Sequence, residues 1–347
     1  MAVEIINRVA GAGLRTANAL VTSLPGPLRP RVRDLAADCL AEVAASSGLD
    51  DFGDPEFRPH FEALLAALRD EARLNAFGAL AAGRDLRNLL QVRLRLEQAI
   101  RETPAIVDEP IERPLIIVGL PRAATTYLHG LLARDPANRA PLNWEIMQPF
   151  PQPGASAGDD RAARRRCARG LWWFHRLSGD LDRKHRLAAV YPQEDVVIMS
   201  HAFQSIRFDS VYRLPGFQAA QERGDMRQAY RWHKRFLQFL QHRRTRRRWV
   251  LKAPAHLLAL ESLLAVYPDA RLVQVNRDPV DCLPSLIGLT ATMQSAFCRD
   301  HDQRALARQV CARWQRVLPG LPERRASLGL DAERILDLGY RELTRTP

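Results

Sequence analysis

Hydrophobic positions follow two different periods along this chain, and the change falls near residue 110. Before it, segments such as FRPHFEALLAALRDEARL and DLRNLLQVRLRLEQAIRE place apolar residues three and four apart, with arginine and glutamate between them. That spacing predicts amphipathic helices, and no strand-like alternation interrupts it. A connector containing proline and acids, TPAIVDEPIERP, closes the region. After Pro114 the pattern becomes short, continuous apolar runs, each followed by a turn and a helical repeat. PLIIVGL leads through PRAAT into TYLHGLLARDP, RRWVLKA into PAHLLALESLLAVYP, and ARLVQVN into RDPVDCLPSLIGLTATM, while ERILDLGY supplies a last strand. Continuous runs suit parallel strands covered on both faces. The predicted fold class is therefore α/β, a parallel β-sheet core flanked by helices, with ligands at the carboxyl ends of the strands. Residues 1–110 are expected to form a helical region packed on the core and residues 111–347 the α/β domain. Within the latter, 151–247 read as a helical, loop-rich cap.

Composition narrows the class. At 347 residues, with 46% hydrophobic and 26% charged content, the chain is ordinary for a water-soluble domain with a large core. No run approaches 18 apolar residues, and no basic segment precedes an apolar block at the N-terminus, so neither a spanning helix nor a signal peptide is expected. Cys39, Cys167, Cys282, Cys298 and Cys311 form no paired motif, which argues for reduced thiols in a cytoplasm and against a disulfide frame or zinc site. The formal charge of +12 comes almost entirely from arginine, since lysine occurs only at Lys184, Lys234 and Lys252. Such a charge suits an anionic partner: a phosphorylated nucleotide, nucleic acid or an acidic membrane. The arginine runs at 161–166 and 243–248 lack interleaved aromatics, so they read as solvated helix faces and no nucleic-acid partner is expected. The modestly amphipathic segment VEIINRVAGAGLRTANALVTSL reads as a helix packed on the domain, with peripheral membrane contact the lesser alternative.

Two segments carry chemistry. In IIVGLPRAATTYLHGLL a buried strand delivers a tight turn, and Thr125 and Thr126 open a helix. Backbone amides of such a turn and helix start converge on one point, a phosphate site. A triphosphate loop would carry GxxxxGK[ST]. Here lysine is absent, the loop is one residue short and Arg122 is the cation, which argues against a magnesium-dependent triphosphatase. In VQVNRDPVDCLPSLIGL, Arg277 closes a strand and Ser285 follows eight residues later, so guanidinium and hydroxyl can share one phosphate. Alone, Arg-Asp-Pro is also an ordinary helix start.

Together, GLPRAATT and RDPVDCLPS resemble the phosphosulfate loop and 3′-phosphate motif of sulfotransferases, in the bacterial branch that shares motifs with tyrosylprotein sulfotransferases. The segments DPANRAPLNWEIMQPFP, YPQED, RWVLKAPAHLLALESLLAVYPDARLVQVNRDP and DLGYRELTRTP extend the resemblance over roughly 114–347. It implies a P-loop-type core and transfer of a sulfuryl group from 3′-phosphoadenosine 5′-phosphosulfate to a hydroxyl of a small-molecule or lipid acceptor, without a metal. It also implies roles. Arg122 and the amides of Ala123, Ala124, Thr125 and Thr126 would hold the 5′-phosphosulfate, Arg277 and Ser285 the 3′-phosphate, Lys252 the bridging oxygen, and Glu145 the acceptor's proton. His256, His129 and Glu194 are the rival bases. Ala123 and Ala124 replace the pattern's serine and glycine, and an alanine is costly if the second position needs positive φ. With an expected short C-terminus after Tyr340, those replacements motivate a second reading, a non-catalytic nucleotide-binding protein of the same fold.

Overall fold

The computed structural model describes residues 39–150, 159–177, 181–242, 244–245, 247–299 and 302–345. The N-terminal amphipathic segment, the start of the expected cap and part of the second arginine run lie outside the described residues. Among the described residues, no helix is long and apolar enough to cross a membrane.

Five parallel strands form the sheet: β1 (Leu115–Gly119), β2 (Asn138–Arg139), β3 (Arg248–Lys252), β4 (Arg271–Asn276) and β5 (Ile335–Gly339), in the order β2-β3-β1-β4-β5. Leu115 is in register with Val250 on one side and Arg271 on the other. The α/β class expected from the sequence is what the chain adopts. Ile116, Ile117, Val118, Val250 and Leu251 are wholly buried, as strands sandwiched between helical layers must be. The chain places β3 on one side of β1 and β4 on the other, so the strand order reverses at the carboxyl end of β1, where such sheets bind ligands. The two-residue edge strand β2 carries too short an apolar pattern to be foreseen.

The helices used below are α1 (Cys39–Ser47), α2 (Phe57–Asp70), α3 (Ala76–Glu102), α4 (Thr125–Leu132), α5 (Asn143–Met147), α6 (Arg161–Leu177), α7 (Leu181–Lys184), α8 (Arg227–Gln241), α9 (Leu260–Val266), α10 (Pro279–Phe297), α11 (Gln303–Val317), α12 (Leu321–Ser327) and α13 (Tyr340–Arg345). Phe57, Phe61, Leu64 and Leu68 of α2 recur at helical spacing and close with α1 and α3 onto Phe203, Phe208, Tyr212, Phe217 and Phe297, a second core beside the sheet. Asn75 caps α3 by accepting from the Gly78 amide at 2.7 Å, and its own amide donates to Phe297 O at the end of α10. The two backbones meet so closely that a Cβ on Gly78 would lie 2.0 Å from Phe297 O. Arg93, fully buried, donates to the carbonyls of Phe52 and His201 and lies 4.1 Å from the ring centroids of both Phe57 and Trp232. Part of the 151–247 stretch is a layer of the main core: Tyr230, Phe236 and Leu237 of α8 pack there with Ile117 and Trp249.

Candidate active site

The loop after β1 is built around unusual backbone angles. Gly119 has φ 144°, and a Cβ there would lie 2.6 Å from Val275 O, so only glycine lets β1 turn so close to β4. Arg122 and Ala124 both have positive φ, 74° and 64°. Ala124 is the left-handed residue that opens α4, and no side chain caps the helix start there. A left-handed alanine costs about 1–2 kcal/mol, which glycine avoids. Ala124→Gly is therefore expected to raise stability by about 1 kcal/mol, read as a higher urea midpoint with unchanged slope. Ala123 is wholly buried and its amide donates to Leu120 O at 3.2 Å, closing the turn. That amide is already engaged within the loop, unlike the expectation that it faces a ligand. The amides opening α4 have no intrahelical acceptor, as at any helix start, and carry the positive end of the helix dipole.

Tertiary structure brings the second motif onto this loop. Asp278 caps α10 by accepting from the Val280 amide at 2.8 Å, with Pro279 in the first turn, so Asp278 and Pro279 fix the helix that presents Ser285. Arg122 Nε donates to Ser285 Oγ at 3.0 Å, and its Nη1 donates to Lys184 O at 3.0 Å. Arg277 Nη1 donates to Arg122 O at 2.8 Å, and its guanidinium lies 4.1 Å from the Tyr340 ring centroid. Arg277 Nε is buried and donates to no acceptor among the described residues; an Asp281 carboxylate oxygen is 3.8 Å away. A buried donor without an acceptor is costly and fits an anion as its partner. Beside Arg277 opens a cleft of about 720 Å³, lined among others by Gly119, Leu257, Gln274, Leu321 and Arg325. Its size and position at the switch point suit a nucleoside.

On the other side of β1, Lys252 at the end of β3 is only 1% exposed. Its Nζ donates to Thr126 Oγ1 at 3.0 Å and to Glu194 Oε1 at 2.5 Å. Burial resists ionisation of Glu194, but the charges of Lys252 and His185 and the hydrogen bond from Lys252 outweigh it and hold the carboxyl below its ordinary pKa. One cation thus touches both the opening of α4 and a carboxylate. His185, which the sequence reading passed over, feels the charges of Glu194, Lys252 and Arg122.

Next to Glu194, Asp195 is wholly buried within a network of aromatic and imidazole groups. Its Oδ2 lies 3.0 Å from His256 Nε2 and 3.2 Å from His233 Nε2. Tyr230 OH is 2.8 Å from His256 Nδ1, and Tyr267 OH is 2.7 Å from His233 Nδ1. Burial works against its charge, yet the two imidazoles hold the Asp195 carboxyl far below its ordinary pKa. Both ring nitrogens of His256 are engaged, so it is poorly placed as a base. His129 is a poor base for another reason: burial lowers its pKa to about 4, and its Nε2 pairs with Val250 O at 3.0 Å. Glu145 is 4% exposed and occupied on both oxygens, by Arg139 Nη2 at 2.8 Å and by the Leu142 amide at 3.0 Å at the start of α5. None of its hydrogen bonds or ion pairs among the described residues reaches Lys252, Thr126 or Arg122. The structure thus gathers Arg122, Arg277 and Ser285 in one cluster and Thr126, Lys252 and Glu194 in a second, joined through the loop and α4. The signal that could have preferred Glu194 was local, since YPQED places two adjacent acids in an otherwise apolar stretch.

The sulfotransferase family profile matches residues 114–347. Over 258 residues the chain is 27% identical to the omega-hydroxy-beta-dihydromenaquinone-9 sulfotransferases Stf3 of Mycobacterium bovis and Mycobacterium tuberculosis, an alignment covering 70% of this chain. The chain spans only 57% of the length of these curated relatives. Among solved structures, it superposes on sulfotransferase STF1 of Mycobacterium tuberculosis with a TM-score of 0.76 and 27% identity, covering 90% of this chain and 87% of the other. On sulfotransferase STF9 of Mycobacterium avium the TM-score is 0.78 at 29% identity, covering 90% and 81%.

Proposed function

This chain belongs to the sulfotransferase family, and from that premise we propose that it transfers a sulfuryl group from 3′-phosphoadenosine 5′-phosphosulfate to a hydroxyl of a small-molecule or lipid acceptor. The observation that carries the reading is the convergence of Arg122, Arg277 and Ser285 on a phosphate loop that Lys252 touches from the other side. In this reading the nucleoside lies in the cleft beside Arg277, whose Nε, without a hydrogen-bond acceptor among the described residues, holds the 3′-phosphate together with Ser285. Arg122, the amides opening α4 and the Thr125 and Thr126 hydroxyls hold the 5′-phosphosulfate. The menaquinone derivative named for the curated relatives supports a lipid-like acceptor.

The chemistry follows from charge placement. The acceptor oxygen attacks sulfur in line, a new oxygen–sulfur bond forms, and the bond from sulfur to the 5′-phosphate oxygen breaks. Adenosine 3′,5′-bisphosphate leaves with the bond's electron pair. Negative charge grows on the bridging oxygen and stays on the peripheral oxygens, where Lys252, Arg122 and the loop amides are positioned in advance. Glu194, ionised beside Lys252, takes the acceptor's proton in place of Glu145, whose carboxylate fixes α5. The Asp195 network holds the segment carrying Glu194 against β3, since the Asp195 amide itself reaches Lys252 O at 3.4 Å.

Calorimetric titration with adenosine 3′,5′-bisphosphate tests this reading, with adenosine 5′-monophosphate and ATP as controls. Selective binding is expected, and Arg277→Ala should weaken it by about 10–100-fold, the worth of one to two charge-assisted hydrogen bonds. Absence of selective binding, or an unchanged affinity in that variant, would overturn the assignment of the 3′-phosphate site.

A further inference from the structure

Helix α6 has two unlike faces. Ala163, Cys167 and Leu171 recur every four residues and pack with Trp144 and Ala189. At 3.6 residues per turn, Arg161, Arg165, Arg169, Trp172 and Trp173 share an arc of about 120° on the opposite side. All five are exposed, and the two indoles are 53% and 55% so, in edge contact with ring centroids 4.8 Å apart. The helix, RAARRRCARGLWWFHRL, contains no acidic residue; the carboxylate paired with Arg161 is Asp159, before its first turn. Read along the chain, the arginines look like a solvated face. The fold adds to that face the two tryptophans that follow about one to three turns later.

We infer that this arginine and tryptophan face of α6 is a docking surface for an anionic lipid bilayer. Indole rings are amphipathic and settle at the boundary between headgroups and acyl chains. Arginines on the same face would meet the headgroup phosphates there, and each raises partitioning onto an anionic surface by about fivefold. Duplex nucleic acid would use the arginines through its phosphates but offers no apolar layer for two adjacent indoles on a convex helix. The surface also has a consequence for the site. The chain passes from α6 to α7, whose Lys184 carbonyl accepts from Arg122, so a docked α6 sets the segment bordering the phosphate loop beside the membrane. The inference rests on α6 and not on the sulfuryl-transfer reading, and its test measures no turnover, so either can fail alone.

The experiment is co-sedimentation of the full chain with phosphatidylcholine vesicles containing phosphatidylglycerol, against vesicles of phosphatidylcholine alone. Salt-sensitive binding to the anionic vesicles is expected, with little to the neutral ones. Arg165→Glu/Arg169→Glu should lower the partition coefficient by about 25-fold or more. Trp172→Ser/Trp173→Ser should lower it by about tenfold and abolish the blue shift of tryptophan emission on vesicle addition. Circular dichroism and adenosine 3′,5′-bisphosphate binding of both variants establish that they are folded. Failure of the parent chain to sediment with anionic vesicles would overturn the inference. So would unchanged binding of either folded variant, or binding to RNA that persists where vesicle binding is absent.

Discussion

Lys252→Met is expected to lower turnover by about 10²–10³-fold, the range for removing one preorganised donor to a transition-state oxyanion. Methionine nearly matches the volume of this buried side chain, so the loss reports on charge and not on a cavity. Affinity for adenosine 3′,5′-bisphosphate should stay within a few-fold, because the phosphate contacts assigned to Arg277, Ser285 and Arg122 remain. The variant also strands Glu194, whose ionised form depends on Lys252. Some stability should be lost, less than the roughly 3–5 kcal/mol typical of breaking a fully buried pair, because the Glu194 side chain is 25% exposed. Lys252→Met/Glu194→Gln should recover that stability without recovering turnover. Initial rates on an acceptor found by screening alcohols and phenols, with urea unfolding alongside, check both halves. Wild-type turnover in Lys252→Met would remove the lysine from the mechanism.

The second large effect separates two carboxylates. Glu194→Gln should lower kcat by about 10²–10⁴-fold, the range for a lost general base, with donor affinity preserved. Glu145→Gln should act on the fold instead: it weakens the partner of Arg139 and the cap of α5, costing about 1–3 kcal/mol, while turnover of the folded enzyme changes only a few-fold. The reverse pattern would return the base to Glu145. The pH profile carries the same distinction. Because Lys252 and His185 hold the Glu194 carboxyl below its ordinary value, its base form persists to lower pH than that of a free glutamate. Turnover should therefore fall only as pH drops through the depressed pKa, and Lys252→Met should move that acid limb upward. Asp195, also depressed, contributes stability that is fully present above its unfolded pKa and is lost as pH falls through the folded one.

Some of this was readable residue by residue. The runs PLIIVGL, WVLK and RLVQV read as strands buried on both faces, because a covered parallel strand removes the need for alternation. The order of loop, lysine strand and Arg-Asp-Pro strand then placed Arg122, Lys252 and Arg277 at carboxyl ends of strands, where a parallel sheet gathers ligands. Even the strain at Ala124 was legible as a condition: an alanine where a turn needs positive φ, which is the conformation it adopts.

The partners of the charged groups were not legible, because hydrogen bonds are decided by distances that sequence separation does not encode. Glu145 stands alone in NWEI and Glu194 beside Asp195 in PQED, and only folding brings Arg139 and the Leu142 amide to the first and Lys252, 58 residues away, to the second. The Asp195 network joins side chains from four places in the chain, and burial is what demands such partners, since an unpaired carboxylate cannot persist out of water. Likewise, the arginine run at 161–166 read as a solvated face, but that Trp172 and Trp173 lie on it was set by the packing of Ala163, Cys167 and Leu171 against Trp144 and Ala189. The sequence by itself determined strands β1, β3, β4 and β5, the loop after β1 and the order of the cations, because these rest on local periodicity and chain direction. Tertiary structure alone decided the edge strand β2, which carboxylate lies beside Lys252 and that two tryptophans join the solvated arginine face of α6, because those outcomes depend on contacts between residues far apart in the chain.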